Sequence, residues 1–244
     1  MPNAIVTAAI VVIGDEILSG RTREANAHHL ARVLSAAGID LREIRVVADD
    51  HAAIVEAVNT LRARNTYLFT SGGIGPTHDD ITAEAVAAAL GRPFGPDPRA
   101  MAVLAAHYEA MGEPFTKARQ RMARMPQGAT LIDNPVSAAP GFVVDNVHVM
   151  AGVPPIFQAM LDNVLPTLKT GRRLLSQTIH CRFGEGVIGS ALAAIDKAHP
   201  DALIGSYPHY EDGDYWVKIV IRAPDAATLD AARQDVEAML EREW

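Results

Sequence analysis

Residues 70–82, TSGGIGPTHDDIT, place three glycines and a proline directly before two carboxylates. Glycine has no Cβ and tolerates positive φ, so consecutive N–H groups can turn to one side as an anion nest. The apolar run TYLFT precedes this loop and an alanine-rich helical pattern follows it. The helix N-terminus adds partial positive charge. A phosphate or diphosphate is the natural guest, with Ser71, Gly72, Gly73, Gly75, Pro76 and Thr82 around it. Asp79 and Asp80 would repel a bare phosphate but suit a divalent cation that ligand phosphates also touch. Magnesium favours one or two carboxylates plus phosphate oxygens and water. One of the pair can instead serve as general base on a water, and the spacing does not divide these roles. The plain alternative is a tight strand-to-helix turn in which Asp79 or Asp80 caps the helix. The loop fits neither GxxxxGK[ST], having no lysine, nor GxGxxG, having no third glycine.

Other polar residues fall at the ends of apolar runs. Asp15 and Glu16 follow AAIVVIG, and Asp49 follows LREIRVV. Asp49 or Asp50 reads as the cap of the helix that follows, and Asp49 also as a carboxylate at a strand end. Asn26, in TREAN, reads equally as a ligand contact and as a cap. His28 and His29 are adjacent on a helix and so diverge, which is poor geometry for sharing a metal. His78 lies in the loop itself and is a candidate phosphate contact. Lys117, Arg119 and Arg121 read as a solvated basic face, with Arg119 or Arg121 reaching a neighbouring subunit's ligand as the alternative. Tyr207 and Pro208 read as packing residues.

These residues need elements to position them. Ala8–Ile13 reads as a buried strand and Glu24–Ala37 as a helix with Leu30, Val33 and Leu34 on one face. LREIRVV reads as a strand, Ala52–Arg64 as a helix, TYLFT as a strand and Ile81–Leu90 as a helix. Such alternation predicts parallel strands covered by helices on both faces. Beyond it come a helix from Asp97 to about Met111, a short basic helix over KARQRMARM, a hairpin turning at Asp145–Asn146, and a helix ending near Leu165. PTLKTGRR, residues 166–173, reads as a linker. The remainder follows a β-α-β-β-α order, with the last helix over Ala226–Glu243. The fold expected is a three-layer, doubly wound, mainly parallel α/β domain over 1–168, with a small α+β domain over 174–244.

The chain has 244 residues and a formal net charge of -7, which argues against a nucleic-acid binder with a basic face. One cysteine, Cys181, excludes an intrachain disulfide and a cysteine zinc cluster. The apolar start lacks a preceding Lys or Arg and is too short to span a bilayer, so it reads as a strand rather than a signal or anchor. A cytoplasmic protein without nucleic-acid or membrane partners is expected.

TSGGIGPTHDDIT resembles the signature loop of the molybdopterin-binding fold. That fold is shared by molybdopterin adenylyltransferases, the competence/damage-inducible protein A family and the front domain of eukaryotic FAD synthases. VVIGDEILSGRTREANAHHLARVLSAAGI, VVADDHAAI, NPVSAAPGF, AGVPP and IGSYP are similar to further segments of the competence/damage-inducible family, so the resemblance covers about residues 8–222. It implies a nucleotide or pterin ligand contacted by Gly14, Asn26, Ser137 and Gly141 as well as the loop. It also implies a divalent metal (magnesium, nickel or cobalt) at Asp15, Asp79 and Asp80, catalytic roles for Asp49 and Asp80, and self-association into a homo-oligomer. The implied reaction is cleavage of a nucleotide pyrophosphate such as ADP-ribose or FAD. Adenylyl transfer to molybdopterin and ligand binding without catalysis are the alternatives. The nicotinamide-mononucleotide deamidase domain of longer members has no counterpart in these residues. Two departures stand out. Ile156 replaces the glutamate of GVPxE, and Ser137 and Ala138 replace the first two residues of GTAPG.

Overall fold

The computed structural model of the protein describes residues 5–211 and 213–242. The chain divides into two compact units between Gly171 and Arg172. The first is built on a six-stranded sheet in the order β2-β1-β3-β8-β7-β6. Its strands are β1 (Val6–Ile13), β2 (Ile39–Val47), β3 (Tyr67–Ser71), β6 (Thr130–Ile132), β7 (Gly141–Val144) and β8 (Val147–Met150). β2, β1, β3 and β8 are mutually parallel, while β7 runs against both β8 and β6. A small separate ribbon pairs β4 (Phe94–Pro96) with β5 (Arg124–Pro126).

Continuous apolar strands buried on both faces are what a parallel sheet between two helix layers requires. In β1, Ala9, Val11 and Ile13 face one core and Ala8, Ile10 and Val12 the other. The first core is completed by α3 (His51–Arg64), α4 (Thr82–Ala89) and α5 (Pro98–Ala110), through Ile54, Val58, Leu61, Val86 and Leu104. The second is completed by α2 (Asn26–Ala36) and α7 (Pro154–Val164), through Leu30, Leu34, Phe157, Met160 and Leu161. Each fully buried Leu among these contributes about 1.5–3 kcal/mol of hydrophobic stabilisation. Two one-turn helices, α1 (Asp15–Leu18) and α6 (Lys117–Gln120), complete this unit.

Local differences from the sequence expectations have local causes. GDEILSG, expected as loop, contains α1, because Gly14 ends β1 and its carbonyl accepts from Ile17 N–H. KARQRMARM does not stay helical. A 3-10 turn follows at Arg121–Ala123, and Arg124 then enters β5. Pro166 and Thr167 form another 3-10 turn, and Leu168 is buried in the second core, so the irregular stretch begins after it.

The second unit holds a three-stranded antiparallel sheet, β10 (Leu203–Glu211), β11 (Asp214–Ala223) and β9 (Leu175–Cys181) in that order, with α8 (Glu185–Ala198) and α9 (Ala226–Leu240). Glu243, the end of the last helix expected from sequence, lies outside the described residues. Alternation along β11 sends Val217, Ile219 and Ile221 into a core with Ile188, Leu229 and Val236. Trp216 lies off that core, its ring stacked between His180 at 5.0 Å and His209 at 4.4 Å. Tyr207, read from sequence as a packing residue, is half exposed. Among the described residues, no helix is long and apolar enough to cross a membrane.

His148 is 4% exposed in β8, between Tyr67 and Phe69, and its Nδ1 has no partner. Burial pulls its pKa down to about 4, against modest opposition from backbone hydrogen bonds. The unfolded chain takes up this proton first, so stability falls as pH drops from about 6.5 towards 4. The loss is on the order of 3 kcal/mol. Denaturant titrations at pH 7.5 and pH 4.5 are expected to show this slope shrinking in His148→Phe.

Candidate ligand site at the carboxyl edge of the sheet

β1, β2, β3 and β8 all end at one edge, where open α/β sheets bind ligands. The loops leaving them bring Asp15, Asp49, residues 72–81 and Gly152 to that edge. β6 runs parallel to β8, so the loop from Asp133 to Pro140 starts there too.

The glycine loop is shaped by the chain's own atoms. Gly72 has φ +107°, its N–H donates to the Met150 carbonyl at 3.2 Å, and a Cβ there would lie 2.2 Å from the Ile13 carbonyl oxygen. Gly73 has φ +68°, and a Cβ would lie 2.1 Å from Thr82 Oγ1. At Gly75 a Cβ would meet Asp80 Oδ2 at 2.7 Å. These absent side chains therefore make room for the protein itself, not for a ligand as the sequence suggested. The nest is narrower than expected as well. Asp80 Oδ1 accepts from Gly75 N–H at 2.6 Å, and Oδ2 accepts from Thr77 N–H at 2.7 Å and the Thr77 hydroxyl at 2.5 Å. Among the described residues, the N–H groups of Gly73 and Ile74 are left without an acceptor. Pro76 is exposed at the tip, and Thr82 is fully buried beneath the loop with its Oγ1 unpaired.

Asp80 thus turns back into the loop, and α4 has no side-chain cap. Asp49 behaves differently. Its Oδ2 accepts from the Asp15 N–H at 2.9 Å, joining the ends of β1 and β2. Asp50, not Asp49, caps α3 by accepting from Ala53 N–H at 2.8 Å. Burial raises the Asp49 pKa above the ordinary carboxylate value; the Asp15 amide opposes this, and the carboxylates of Asp15, Glu16 and Asp79 reinforce it. Asp79 is exposed, with His78 Nδ1 3.9 Å from its Oδ1. Among the described residues, no three His, Cys, Asp or Glu side chains are grouped to hold a metal ion.

On the other flank Asn26 is 5% exposed. Its Nδ2 donates to Ser71 Oγ at 2.8 Å and to the Gly152 carbonyl at 2.7 Å, while its Oδ1 has no partner. It does not cap α2. The N-cap is Ala25, and Glu24 just before it accepts from Ala27 N–H at 2.7 Å. Asn26 and Ser71 line a cleft with Val12, Glu16, Thr22 and Pro154. Of the five buried side-chain N or O atoms without a partner among the described residues, three surround the loop: Asn26 Oδ1, Thr82 Oγ1 and Arg121 Nε. Such a group costs about 1–3 kcal/mol when nothing satisfies it.

Several sequence candidates are occupied with structural work. Gly14 N–H donates to the Val47 carbonyl at 3.2 Å. Gly141 is buried in β7, where a Cβ would lie 2.5 Å from the Val149 carbonyl oxygen. Ser137 Oγ accepts from Asn134 Nδ2 at 2.7 Å. Asn134 was missed by sequence reasoning. Buried at 2% exposure, it also accepts from Val136 N–H and Ser137 N–H and donates to the Ala139 carbonyl. The Asn-Pro dipeptide was its one visible signal. Ile156 is half buried against the second core, so no carboxylate occupies that position. Arg119 pairs with Glu113 and lies over Tyr108, whereas Arg121 faces the loop of its own chain.

A mainly parallel sheet with a glycine loop, free N–H groups and acids at its carboxyl edge defines an α/β small-ligand domain. Residues 9–170 match the family described as a probable molybdopterin binding domain, and residues 173–244 match the middle domain of FAD synthase. A protein of Caldivirga maquilingensis is 38% identical over 193 residues, covering 77% of this chain and 74% of that one. A CinA-like protein of Desulfosudis oleivorans is 33% identical over 91% of this chain, which spans 56% of that relative's length. The crystal structure of the protein CinA, of unknown function, from Thermoplasma acidophilum has a TM-score of 0.62 at 32% identity, over 67% of this chain and 98% of that one. The chain belongs to the CinA-like family of molybdopterin-binding-fold proteins.

Because Asp80 is the acceptor for three loop donors, Asp80→Ala is expected to lower stability by about 1–3 kcal/mol and to raise amide exchange in residues 73–79. Unchanged melting and exchange would show that the loop holds its shape without this carboxylate.

Proposed function

We propose that the first unit binds a diphosphate-containing nucleotide or pterin at the glycine loop and hydrolyses a nucleotide pyrophosphate of the ADP-ribose or FAD type. The observation carrying this reading is the half-buried carboxylate of Asp49, on the Asp15 N–H, at the same edge as two unclaimed loop N–H groups. In this reading Gly73 and Ile74 N–H groups hold phosphate oxygens, and Asn26 Oδ1 accepts from a donor on the ring system. Asp49 orients a water and takes its proton. The water oxygen bonds to one phosphorus, the bridging P–O bond breaks, and two monophosphates leave. A raised pKa suits a base working nearer neutral pH.

The acids fit a divalent cation completed by ligand oxygens and water, since magnesium needs only one or two protein carboxylates. Asp15 and exposed Asp79 are the residues that would hold magnesium, nickel or cobalt; Asp49 is kept for the water, and Asp80 has both oxygens engaged in the loop. Such an ion supplies charge neutralisation at the diphosphate. The same reading expects a cytoplasmic, self-associating protein. Binding without cleavage is the second reading, favoured by Ile156 in place of a glutamate and by the engagement of Asp80.

AMP release from ADP-ribose and FAD, with each of the three metals, separates the two. Hydrolysis is expected, with Asp49→Asn lowering kcat by about 10²-fold or more while ligand still binds. The acid limb of the wild-type pH profile should lie above the usual aspartate range, because Asp49 must be ionised to act. Absence of turnover with every metal, while ADP-ribose still binds, leaves the binding-only reading standing.

A further inference from the structure

The glycine loop has a cleft on each flank. The one opposite Asn26 is lined by Gly73, Ile74, Gly75, Arg121, Arg124 and Phe142. Arg121 sits in the 3-10 turn that enters β5, next to fully buried Ala123, whose carbonyl accepts from Asp97 N–H at 2.8 Å. The backbone carrying Arg121 is thereby fixed. Its Nε is buried without an acceptor.

Two neighbouring arginines have partners within the chain. Arg119 has Glu113 and the Pro114 carbonyl, and Arg124 lies 4.4 Å over the Phe94 ring. Arg121 presents a planar fork of donors that matches phosphate geometry. Across the cleft are Gly73 and Ile74, whose N–H groups also lack acceptors. Two carboxylates share this lining, Asp80 and Glu84. Asp80 is committed to Gly75 and Thr77, and Glu84 is exposed. Residues from two separate elements, each with an unsatisfied donor, thus line one cleft.

We infer that Arg121 and the N–H groups of Gly73 and Ile74 form a phosphate subsite for one phosphate of the ligand. The inference rests on the diphosphate-binding reading above and not on hydrolysis. The opposing N–H groups and the guanidinium fork share the oxygens of that phosphate, so Arg121 acts on the ligand of its own chain.

Calorimetry on the full chain with inorganic pyrophosphate and with ADP-ribose tests this in wild type, Arg121→Gln, Arg121→Lys and Arg119→Gln. Arg121→Gln is expected to weaken both ligands about tenfold or more, with Arg121→Lys intermediate and Arg119→Gln at the wild-type value. Ligand-free Arg121→Gln should melt at or above the wild-type temperature, since nothing in the chain accepts from Nε, and the upward shift given by pyrophosphate should vanish. Wild-type affinity in Arg121→Gln overturns the subsite. So does a loss confined to inorganic pyrophosphate, a ligand-free Arg121→Gln that melts well below wild type, or a wild type that binds neither compound. A wild type that binds both ligands and cleaves nothing removes hydrolysis and leaves the subsite in place.

Discussion

The carboxylate of Asp80 faces inwards, and the geometry of the ligand edge follows from that direction. By accepting from Gly75 N–H, Thr77 N–H and the Thr77 hydroxyl, it folds residues 75–80 onto themselves. Gly73 and Ile74 are among the loop donors left without acceptors. Asp49 is left as the half-buried acid, tied to the Asp15 amide. A loop with the same glycines but an outward Asp80 would offer more N–H groups and more charge, and so a different ligand preference.

The glycines serve the same constraint from below. Gly72 and Gly73 let the loop lie directly on Ile13 and Thr82, and a Cβ on Gly152 would lie 3.2 Å from the Gly72 Cα. Ile74 packs against both core layers, so the loop sits astride the end of the sheet. Asn26 then addresses one flank and Arg121 the other. The division of labour is spatial: donors at the crest, an acceptor on one side, a cation on the opposite side.

Much of this was legible in the residues. The apolar strands of the first unit and their alternation with helices fixed the layers, and the position of TSGGIGPTHDDIT after TYLFT placed the site at an edge. Two kinds of information were not legible. Side-chain direction was one. Spacing puts Asp79 and Asp80 beside each other but does not say that Asp80 turns back into the loop. Long-range approach was the other. That Ile13 and Thr82 press on Gly72 and Gly73 depends on strands and helices meeting, which no local pattern encodes. Arg121 combines both difficulties. Its helical-looking surroundings hide the 3-10 turn that points it at Gly73–Gly75, some 46 residues away in sequence.

The position of Ile74 across the sheet end has a consequence for the shape of any molecule that fills both clefts. Such a molecule has to bend over a ridge. Two bulky groups joined by a short, freely rotating tether can do so, with the tether lying on the crest. In the binding mode proposed above, the edge would therefore select for the joint in a ligand as much as for its ends. Stiffening that joint would exclude a compound even if both of its ends were right.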